Sequence, residues 1–421
     1  MDEMPIFYKA EQRFSNKICK NIRDSVFENV ERLLKTASVP KGSSIAISAG
    51  SRGIDRIADI FKYIVEKLQK EGYAPFLFSA KGSHGGGEAK GQKELLESLG
   101  ITEGYIGARI SCSSETVCIG YTDVHLEGLP IFTAKEAVEA DFVLAVNRIK
   151  PHTNFRGEFE SGILKMLSVG MGRAKGAATV HKLGNEYLPI AIKAIGTGAL
   201  KKLNLLGCIA IVENAYDSTA IIEAIPASKI LEREPELLKE AKNMMPSIPF
   251  KDLDLLIVQE IGKNFSGTGM DTNIIGRIRI NGIPEPTEPR IKFIGALDIS
   301  PESHGNATGI GLADFTTRRL TEKIDYQKTY TNVLTSGNVM RVAIPMITEN
   351  DLDLFQTAFK ALKPDKVSKL KIMIIKNTLH LSKFWISEGL LNNAMAHNRV
   401  NVLSSPFPIS FNKEHNLLMN E

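Results

Sequence analysis

Three histidines and one lysine lie in glycine-rich or polar segments that could carry catalytic chemistry. They are His84 in GSHGGG, His152 in VNRIKPHTNFRG, His181 in GMGRAKGAATVHKLG and Lys165 in ESGILKMLSVGMG. Neutral imidazole acts as a general acid or base near pH 7 and binds metals such as nickel, zinc and copper. A lysine that has lost its proton forms covalent bonds to carbonyl-derived groups. With glycines that let a ligand approach the backbone, Gly85 and Gly86 among them, this set indicates a nucleotide-like cofactor and a metal.

Each of these residues also has an ordinary structural explanation. A single histidine is most often a surface residue or a hydrogen-bonded core residue, and Lys165 on a helix is most often solvated. The glycines of GSHGGG are also what a tight turn requires, because glycine adopts positive φ at little cost. A zinc site made by His84, His152 and His181 together is a further alternative.

Known nucleotide and hydrolase motifs are weak or missing. The sequence contains no GxxxxGK[ST] phosphate loop, no GxSxG elbow and no HExxH zinc motif. GMGRAKG (170–176) has its third glycine one place too late for a dinucleotide fingerprint. GTGMD (267–271) offers backbone N–H groups to an anion, but it is equally ordinary loop sequence. These observations disfavour a P-loop enzyme, a serine hydrolase, a zincin and a dehydrogenase that uses free NAD.

Helical and extended patterns alternate along the first half of the chain. KICKNIRDSVFENVERLL (17–34) and IDRIADIFKYIVEKLQKEG (54–72) have the apolar spacing of amphipathic helices. Strands are predicted at SIAISA, at 73–80, at 141–147 and at 207–214, with a helical stretch near 159–170. Strands separated by helices indicate parallel βαβ units, so the predicted fold class is α/β. Ligands of such folds bind at the carboxyl ends of strands, where His84 and His152 are expected.

The second half of the chain begins after NMMPSIPFKDLD (243–254), where two prolines precede a new apolar run. Further strands are predicted at 253–261, 290–299 and 370–376. The expected organisation is an α/β catalytic domain over residues 1–250 and a second α/β domain over 251–400. The tail, about 400–421, is expected to pack back on the first domain.

Composition excludes several classes of protein. The 421 residues carry 52 basic and 48 acidic side chains, a formal charge of +4, so a nucleic-acid partner is not expected. Four scattered cysteines do not form a disulfide framework or a CxxC zinc site. The N-terminus lacks an apolar signal region and no apolar run approaches ~20 residues. A cytoplasmic protein without a membrane partner is expected.

The sequence resembles the nickel-dependent lactate racemase family in three features. They are GSHGG, KPHTNFRGEFESGILK and a histidine, His181, sixteen residues after Lys165, the lysine that ends the second motif. SRGIDR (51–56) and IGKNFSGTGMDTNIIGR (261–277) are also similar to segments of that family. The resemblance extends from about residue 45 to about residue 300. It implies an isomerase of two α/β domains whose active site lies in the cleft between them, with a nickel-pincer nucleotide and Ni(II) as cofactors.

The resemblance also implies a role for each site residue. Lys165 would hold the cofactor covalently through a thioamide, and His181 would complete nickel coordination. His84 and His152 would be the pair of acid–base histidines. Arg52, Gly85 and Gly86 would contact the cofactor.

The implied reaction is racemisation or epimerisation of a 2-hydroxy acid by proton-coupled hydride transfer through a planar 2-keto intermediate. Enzymes that synthesise the cofactor would be needed as maturation partners. In the second domain TNIIGRIR (272–279) departs from the family pattern, and Arg277 or Arg279 would bind the substrate carboxylate, or would only pack between the domains. The alternatives are a sugar epimerase with the same cofactor, and a zinc- or nucleotide-binding protein without racemase activity.

Overall fold

The fold is described by a computed structural model for residues 4–50, 53–82 and 84–418. Its strands, in chain order, are β1 (Ile6–Gln12), β2 (Ser44–Ala49), β3 (Ala74–Ser79), β4 (Ile110–Ser111), β5 (Thr116–Tyr121), β6 (Pro130–Ala134), β7 (Phe142–Arg148), β8 (Leu205–Glu213), β9 (Thr219–Pro226), β10 (Asp252–Ile261), β11 (Arg290–Ile299), β12 (Phe315–Thr317), β13 (Met346–Thr348), β14 (Ile372–Ile375), β15 (Lys383–Ser387), β16 (Val400–Val402), β17 (Phe407–Pro408), β18 (Ser410–Phe411) and β19 (Leu417–Leu418).

The α-helices are α1 (Ile22–Thr36), α2 (Ile57–Lys70), α3 (Ala89–Ser98), α4 (Glu103–Ile106), α5 (Lys135–Glu139), α6 (Ile163–Lys165), α7 (Arg173–His181), α8 (Leu188–Lys202), α9 (Ile230–Met244), α10 (Thr272–Ile275), α11 (Arg318–Thr321), α12 (Tyr326–Ser336), α13 (Asp351–Leu362) and α14 (Leu391–Met395). A π-helical turn, Met166–Gly170, continues α6, and a short 3-10 helix, His84–Gly87, follows β3. Within the described part of the chain, no helix combines the length and apolar character needed to cross a membrane.

The chain forms two compact units, one of Ser15–Met245 and one of Met1–Phe14 with Pro246–Glu421. The first unit contains a six-stranded sheet in the order β4-β3-β2-β7-β8-β9. Its first five strands are parallel and β9 pairs antiparallel with β8. A separate antiparallel pair, β5 and β6, completes the strands of this unit.

Helices cover both faces of this sheet. Alternate residues of β7 point to opposite sides, so that Val143 and Ala145 join one apolar cluster while Leu144 and Val146 join the other. The first cluster contains α8, α9 and the α6 segment, and the second contains α1 and α2. Nearly continuous apolar strands are therefore buried on both faces, which confirms the predicted α/β class.

The second unit is built on a nine-stranded mixed sheet. Its path is β13-β12-β11-β10-β14-β15-β1-β16, and β17 also pairs with β1. The five strands from β13 to β14 are parallel, whereas the remaining pairs are antiparallel. An apolar cluster around Leu255, Phe355 and Trp385 packs on this sheet.

The division between the units differs from the expected one at both chain ends. Residues 1–14 and the tail were expected in or against the first domain, but β1 pairs with β15, β16 and β17 in the second unit. Backbone hydrogen bonds between segments almost 400 residues apart place both ends there, and no local sequence pattern carries that information. The chain crosses between the units twice, from Phe14 to Ser15 and from Met245 to Pro246.

The start of the first helix also differs from the apolar pattern. The spacing included Ile18, but α1 begins at Ile22 and Ile18 lies outside it, 51% exposed. Asn21 ends the extended segment because its side chain accepts the Asp24 N–H as an N-cap. The helical stretch near 159–170 is likewise shorter, since it begins at Ile163.

Candidate functional site

The loops after β3 and β7 leave the same edge of the first unit's sheet. Both strands lie parallel to β2, one on each side, so their carboxyl ends point in one direction. His84 begins the 3-10 helix that follows β3 and is exposed. His152 lies four residues beyond Arg148, the end of β7, and is half-buried. This edge is where α/β proteins bind their ligands.

His152 contacts Lys165 directly. Its Nε2 atom lies 2.6 Å from Lys165 Nζ, although thirteen residues separate the two in sequence. Both side chains are half-buried. The structure thus joins a predicted acid–base residue to the predicted covalent lysine.

The imidazole of His152 is held on several sides. Its ring stacks on Phe155, with centroids 4.3 Å apart and an angle of 20° between planes. Its backbone N–H donates to Glu160 Oε2 at 2.7 Å, and its Nδ1 accepts the backbone N–H of Asn154 at 3.0 Å. These contacts fix the ring plane and leave Nε2 directed at Lys165.

The hydrogen bond from Asn154 determines where the proton of His152 lies. A backbone N–H can only donate, so Nδ1 must present its lone pair and a neutral ring carries its proton on Nε2. With the proton on Nε2, the 2.6 Å contact to Lys165 Nζ is a hydrogen bond only while the lysine is an uncharged amine. A lysine in that protonation state is a nucleophile toward acyl carbon.

A buried carboxyl group holds the helix that carries Lys165. Glu234 on α9 is 1% exposed, and its Oε2 accepts the Leu164 N–H at 3.1 Å. Burial raises the pKa of Glu234 to about 8, against the opposing effect of the amide N–H groups of Leu164 and Ile163. A Cβ atom at Gly162 would collide with Glu234 Oε1, so only glycine fits beneath this carboxyl.

A second buried carboxylate supports the His152 loop from below. Glu160 is 1% exposed and pairs with Lys242 Nζ at 2.7 Å. Because the same carboxylate accepts the His152 N–H, it links α9 to the histidine. Removing Lys242 would leave the buried Glu160 carboxylate without its ion pair, whereas Lys242 itself is 40% exposed and would remain solvated.

His181 is the last residue of α7 and is exposed. Partial loss of surrounding water lowers the pKa of this imidazole, and positive charge on Lys165 acts in the same direction. Since its side chain remains exposed, solvent screens much of this effect. The direction favours the neutral ring, which is the form that binds a metal.

The loop that carries His84 packs against the segment between Lys165 and His181. Gly82 N–H donates to Gly170 O at 3.1 Å. Gly82 and Gly87 have φ values of 61° and 73°, and a Cβ at Gly87 would lie 3.4 Å from Ala174 Cβ. Positive φ and close packing both favour glycine here. Gly85 and Gly86 lie in the short helix His84–Gly87 itself.

Lys81 and Gln92 anchor the two ends of this loop. Lys81 is 4% exposed, and its Nζ donates to Gln92 O at 2.9 Å. Burial lowers the pKa of Lys81 to about 8, although nearby Cys112 opposes the shift. The Gln92 side chain donates to Gly87 O and accepts the Ser79 hydroxyl. The loop around His84 therefore rests on buried polar contacts.

Arg173 ties the end of β3 to the start of α7, the helix that ends at His181. It is 1% exposed, and its Nη2 lies 2.9 Å from the Glu136 carboxylate. Its Nε donates to Ser79 O at 3.2 Å and its Nη1 to Glu115 O at 2.6 Å. This network positions α7 relative to the sheet edge.

Three further residues were predicted for the site. Arg52 lies outside the described residues. Arg277 and Arg279, in the second unit, each place a guanidinium nitrogen 2.6 Å from an Asp314 carboxylate oxygen. Both also donate to backbone carbonyl groups, among them Leu312 O. These partners all lie in the second unit, whereas the alternative had the arginines packing between the domains.

The three histidines do not converge on one metal. Among the residues that the structure describes, no group of three or more His, Cys, Asp and Glu side chains is arranged to hold a metal ion. This geometry does not support zinc bound by His84, His152 and His181 together. A metal bound through one protein imidazole would need its other donors from a cofactor.

Sequence reasoning missed the buried charged residues that position the site. Glu160, Glu234 and Lys81 resemble any other charged residues in the sequence, because burial and partners are not visible there. One signal was present. Glu160 lies between His152 and Lys165, within the motif KPHTNFRGEFESGILK on which the family resemblance rests.

No protein-family model and no curated protein matches the chain. Among solved structures, it is similar to the lactate racemase apoprotein from Thermoanaerobacterium thermosaccharolyticum. The two share 14% identity over 90% of this chain and 94% of that chain, with a TM-score of 0.49. A similarity this distant says nothing about chemistry, so a function for this chain must rest on the contacts of its own site residues.

Proposed function

We propose that the chain is an isomerase that inverts the C2 centre of a 2-hydroxy acid, using a covalently attached nickel-pincer nucleotide. The observation that carries the proposal is the 2.6 Å contact between His152 Nε2 and Lys165 Nζ. It joins an acid–base group to a nucleophilic amine, and both come from the motif KPHTNFRGEFESGILK.

The residues fit such a cofactor. Lys165 would hold it through its amine, and His181 would supply one neutral imidazole to nickel. A single protein ligand suits a cofactor that brings its own sulfur and carbon donors, whereas protein-bound zinc needs three or four side chains. Arg52 and the backbone of Gly85 and Gly86 keep the cofactor-contact roles that the resemblance implies.

The bound cofactor supplies a reversible hydride acceptor for C2 of the substrate. The chain itself must then move the proton of the 2-hydroxyl group. In the thioamide that the resemblance implies, the Lys165 nitrogen would no longer accept a hydrogen bond, so the Nε2–H of His152 would be available to donate to the substrate oxygen. Two acid–base residues, His152 and His84, are needed because the hydroxyl groups of two enantiomers occupy different positions. Each must come within roughly 2.6–3.2 Å of that oxygen.

The substrate carboxylate needs a cation that is not already neutralised. Arg277 and Arg279 share Asp314, which is half-buried, and displacing them would leave that carboxylate without its two partners. We therefore propose that these arginines stay with Asp314 and that another group binds the substrate carboxylate.

The proposal is tested by co-expressing the chain with the cofactor-synthesis enzymes. We expect about one nickel per chain, a mass adduct on the peptide that contains Lys165, and loss of optical purity in a panel of 2-hydroxy acids. Lys165→Arg should lose the adduct, while the control Lys182→Arg, an exposed lysine next to His181, should keep it.

The variant His84→Ala distinguishes attachment of the cofactor from turnover of the substrate. We expect this variant to keep nickel and the adduct but to racemise at least 100-fold more slowly, as is usual when a general acid or base is removed. Absence of both nickel and adduct from the wild-type chain would overturn the proposal. Zinc without an adduct would indicate a metal-binding protein, and inversion of sugars alone would indicate a sugar epimerase.

A further inference from the structure

Exposed apolar side chains are concentrated in one segment of the second unit. Eight of the 21 large apolar side chains that are exposed among the described residues lie between residues 326 and 347. The eight, called here the 326–347 face, are Tyr326, Tyr330, Leu334, Val339, Met340, Ile344, Met346 and Ile347. Leu334 is 73% exposed and Met346 is 60% exposed. A contiguous apolar patch on a protein surface usually marks an interaction site.

Helix α12 presents one stripe of this face. Tyr326, Tyr330 and Leu334 recur every four residues and so lie on one side of the helix. The two tyrosine rings are 5.7 Å apart. Thr329 and Val333, which lie directly beside this stripe, are buried. The exposed stripe therefore borders the side of the helix that packs on its own core.

The rest of the face follows directly in sequence and in space. A 3-10 helix, Val339–Val342, packs against α12, and the chain then passes through Ile344 into β13. The sheet path ends at β13, where Met346 and Ile347 point to opposite sides of the strand and are both exposed. An outer strand with apolar side chains and an open edge is a site where another strand can pair.

We propose that the 326–347 face is the interface of a homodimer, in which a second copy of this chain covers it. A two-fold axis beside β13 would bring the same edge of the partner alongside in antiparallel orientation. Such an interface is self-complementary, because each copy supplies the same helix stripe and the same strand. It would also close the open edge of the nine-stranded sheet.

The size of the face agrees with a stable dimer. A tyrosine side chain offers roughly 200 Å² of surface and an aliphatic or methionine side chain less, and the eight members are each about half exposed. Together they offer roughly 600 Å² per copy, to which the edge of β13 and the polar rim would add. A standard stable interface buries about 800 Å² per partner.

Charges around the face favour a second copy over a charged partner. Arg318 Nε lies 2.8 Å from Glu349, and Lys328 Nζ lies 2.9 Å from Asp325. Lys323 Nζ lies 2.7 Å from Asp298. Because these cations already face carboxylates, the rim has no excess of positive charge to attract an anionic membrane or an acidic protein. Two such rims can also meet without repulsion between like charges.

The oligomeric state of the full-length chain tests the proposal. Sedimentation velocity at 1–50 μM should show a species of twice the 46.3 kDa chain mass. Leu334→Asp together with Met346→Lys should weaken association at least 100-fold and leave monomer over this range. The matched control Met395→Lys changes a side chain that is 74% exposed and lies outside the face, and it should remain dimeric.

A second measurement covers the case in which the double variant does not fold. Amide hydrogen exchange of wild-type peptides spanning 326–348 should slow as the protein concentration rises through the dissociation constant, while exchange elsewhere stays constant. A wild-type monomer at 50 μM, or a dimer that the folded double variant keeps, would overturn the proposal. So would binding of the wild-type monomer to anionic vesicles through this face. None of these outcomes depends on the isomerase activity.

Discussion

Glu234→Gln tests whether a buried, protonated carboxyl group holds the helix of Lys165. Glu234 is 1% exposed on α9, and its Oε2 accepts the Leu164 N–H at 3.1 Å. Burial raises its pKa from 4.5 to about 8. Glutamine has nearly the same shape and can accept the same hydrogen bond, but it has no charge to lose or gain.

The sign of the pH dependence follows from that raised pKa. Between pH 4.5 and about pH 8 the unfolded glutamate is ionised while the folded one keeps its proton. The folded state therefore binds more protons, and its stability falls as pH rises through this window. At about 1.36 kcal/mol per pH unit, wild type should lose about 2 kcal/mol between pH 6 and pH 8 from this group alone. Glu234→Gln should lose none of it.

The assay must report on the unit that contains Glu234. The only tryptophan, Trp385, lies on β15 in the other unit, so its fluorescence would not report on this region. Hydrogen exchange of peptides covering 163–170, measured in increasing urea at pH 6 and pH 8, gives the free energy of opening at the Lys165 helix. The stability of Glu234→Gln relative to wild type should rise by about 2 kcal/mol over this interval.

Glu240→Gln is the matched control. Glu240 lies on the same helix, half-exposed, with its carboxylate 2.9 Å from Arg233. Its variant should follow the pH dependence of wild type. If the difference between Glu234→Gln and wild type stays constant within about 0.5 kcal/mol from pH 6 to pH 8, Glu234 is not a protonated buried acid and the reasoning fails.

Three further changes test the supports of the site. Arg173→Met should destabilise the first unit by about 3–5 kcal/mol, because it leaves the buried Glu136 charge unpaired; adding Glu136→Gln should restore part of the loss in urea unfolding followed by circular dichroism. Gly162→Ala should cost about 1–3 kcal/mol by collision with the carboxyl group above it, whereas Gly104→Ala, with open space around it, should cost well under 1 kcal/mol in the same measurement. Burial holds the pKa of Lys81 near 8 in the folded protein, whereas the unfolded amine titrates near 10.5, so the wild-type protein should gain about 2 kcal/mol of stability between pH 8 and pH 10. Lys81→Met should abolish this gain. If the variant still shows it, another group causes the gain.

Local sequence patterns predicted most of the elements that position the site. Strand β11 (Arg290–Ile299) coincides with the predicted range, and β3, β7, β8 and β10 lie within one or two residues of theirs. These strands are buried on both faces, so their apolar runs are visible in sequence. The contact between His152 and Lys165 could not be predicted in this way, because it requires the loop after β7 to fold back on α6, the helix that carries Lys165.

The sequence by itself determined the α/β class and the residue types that can do chemistry, because hydrophobic periodicity and motif spacing are local properties. Only the tertiary structure decided that β1 pairs with β15 and that Glu234 meets Leu164 seventy residues away. The tertiary structure also pairs Arg277 and Arg279 with the carboxylate of Asp314. Such partners depend on long-range packing, and a charged residue shows its burial only after the whole fold has formed around it.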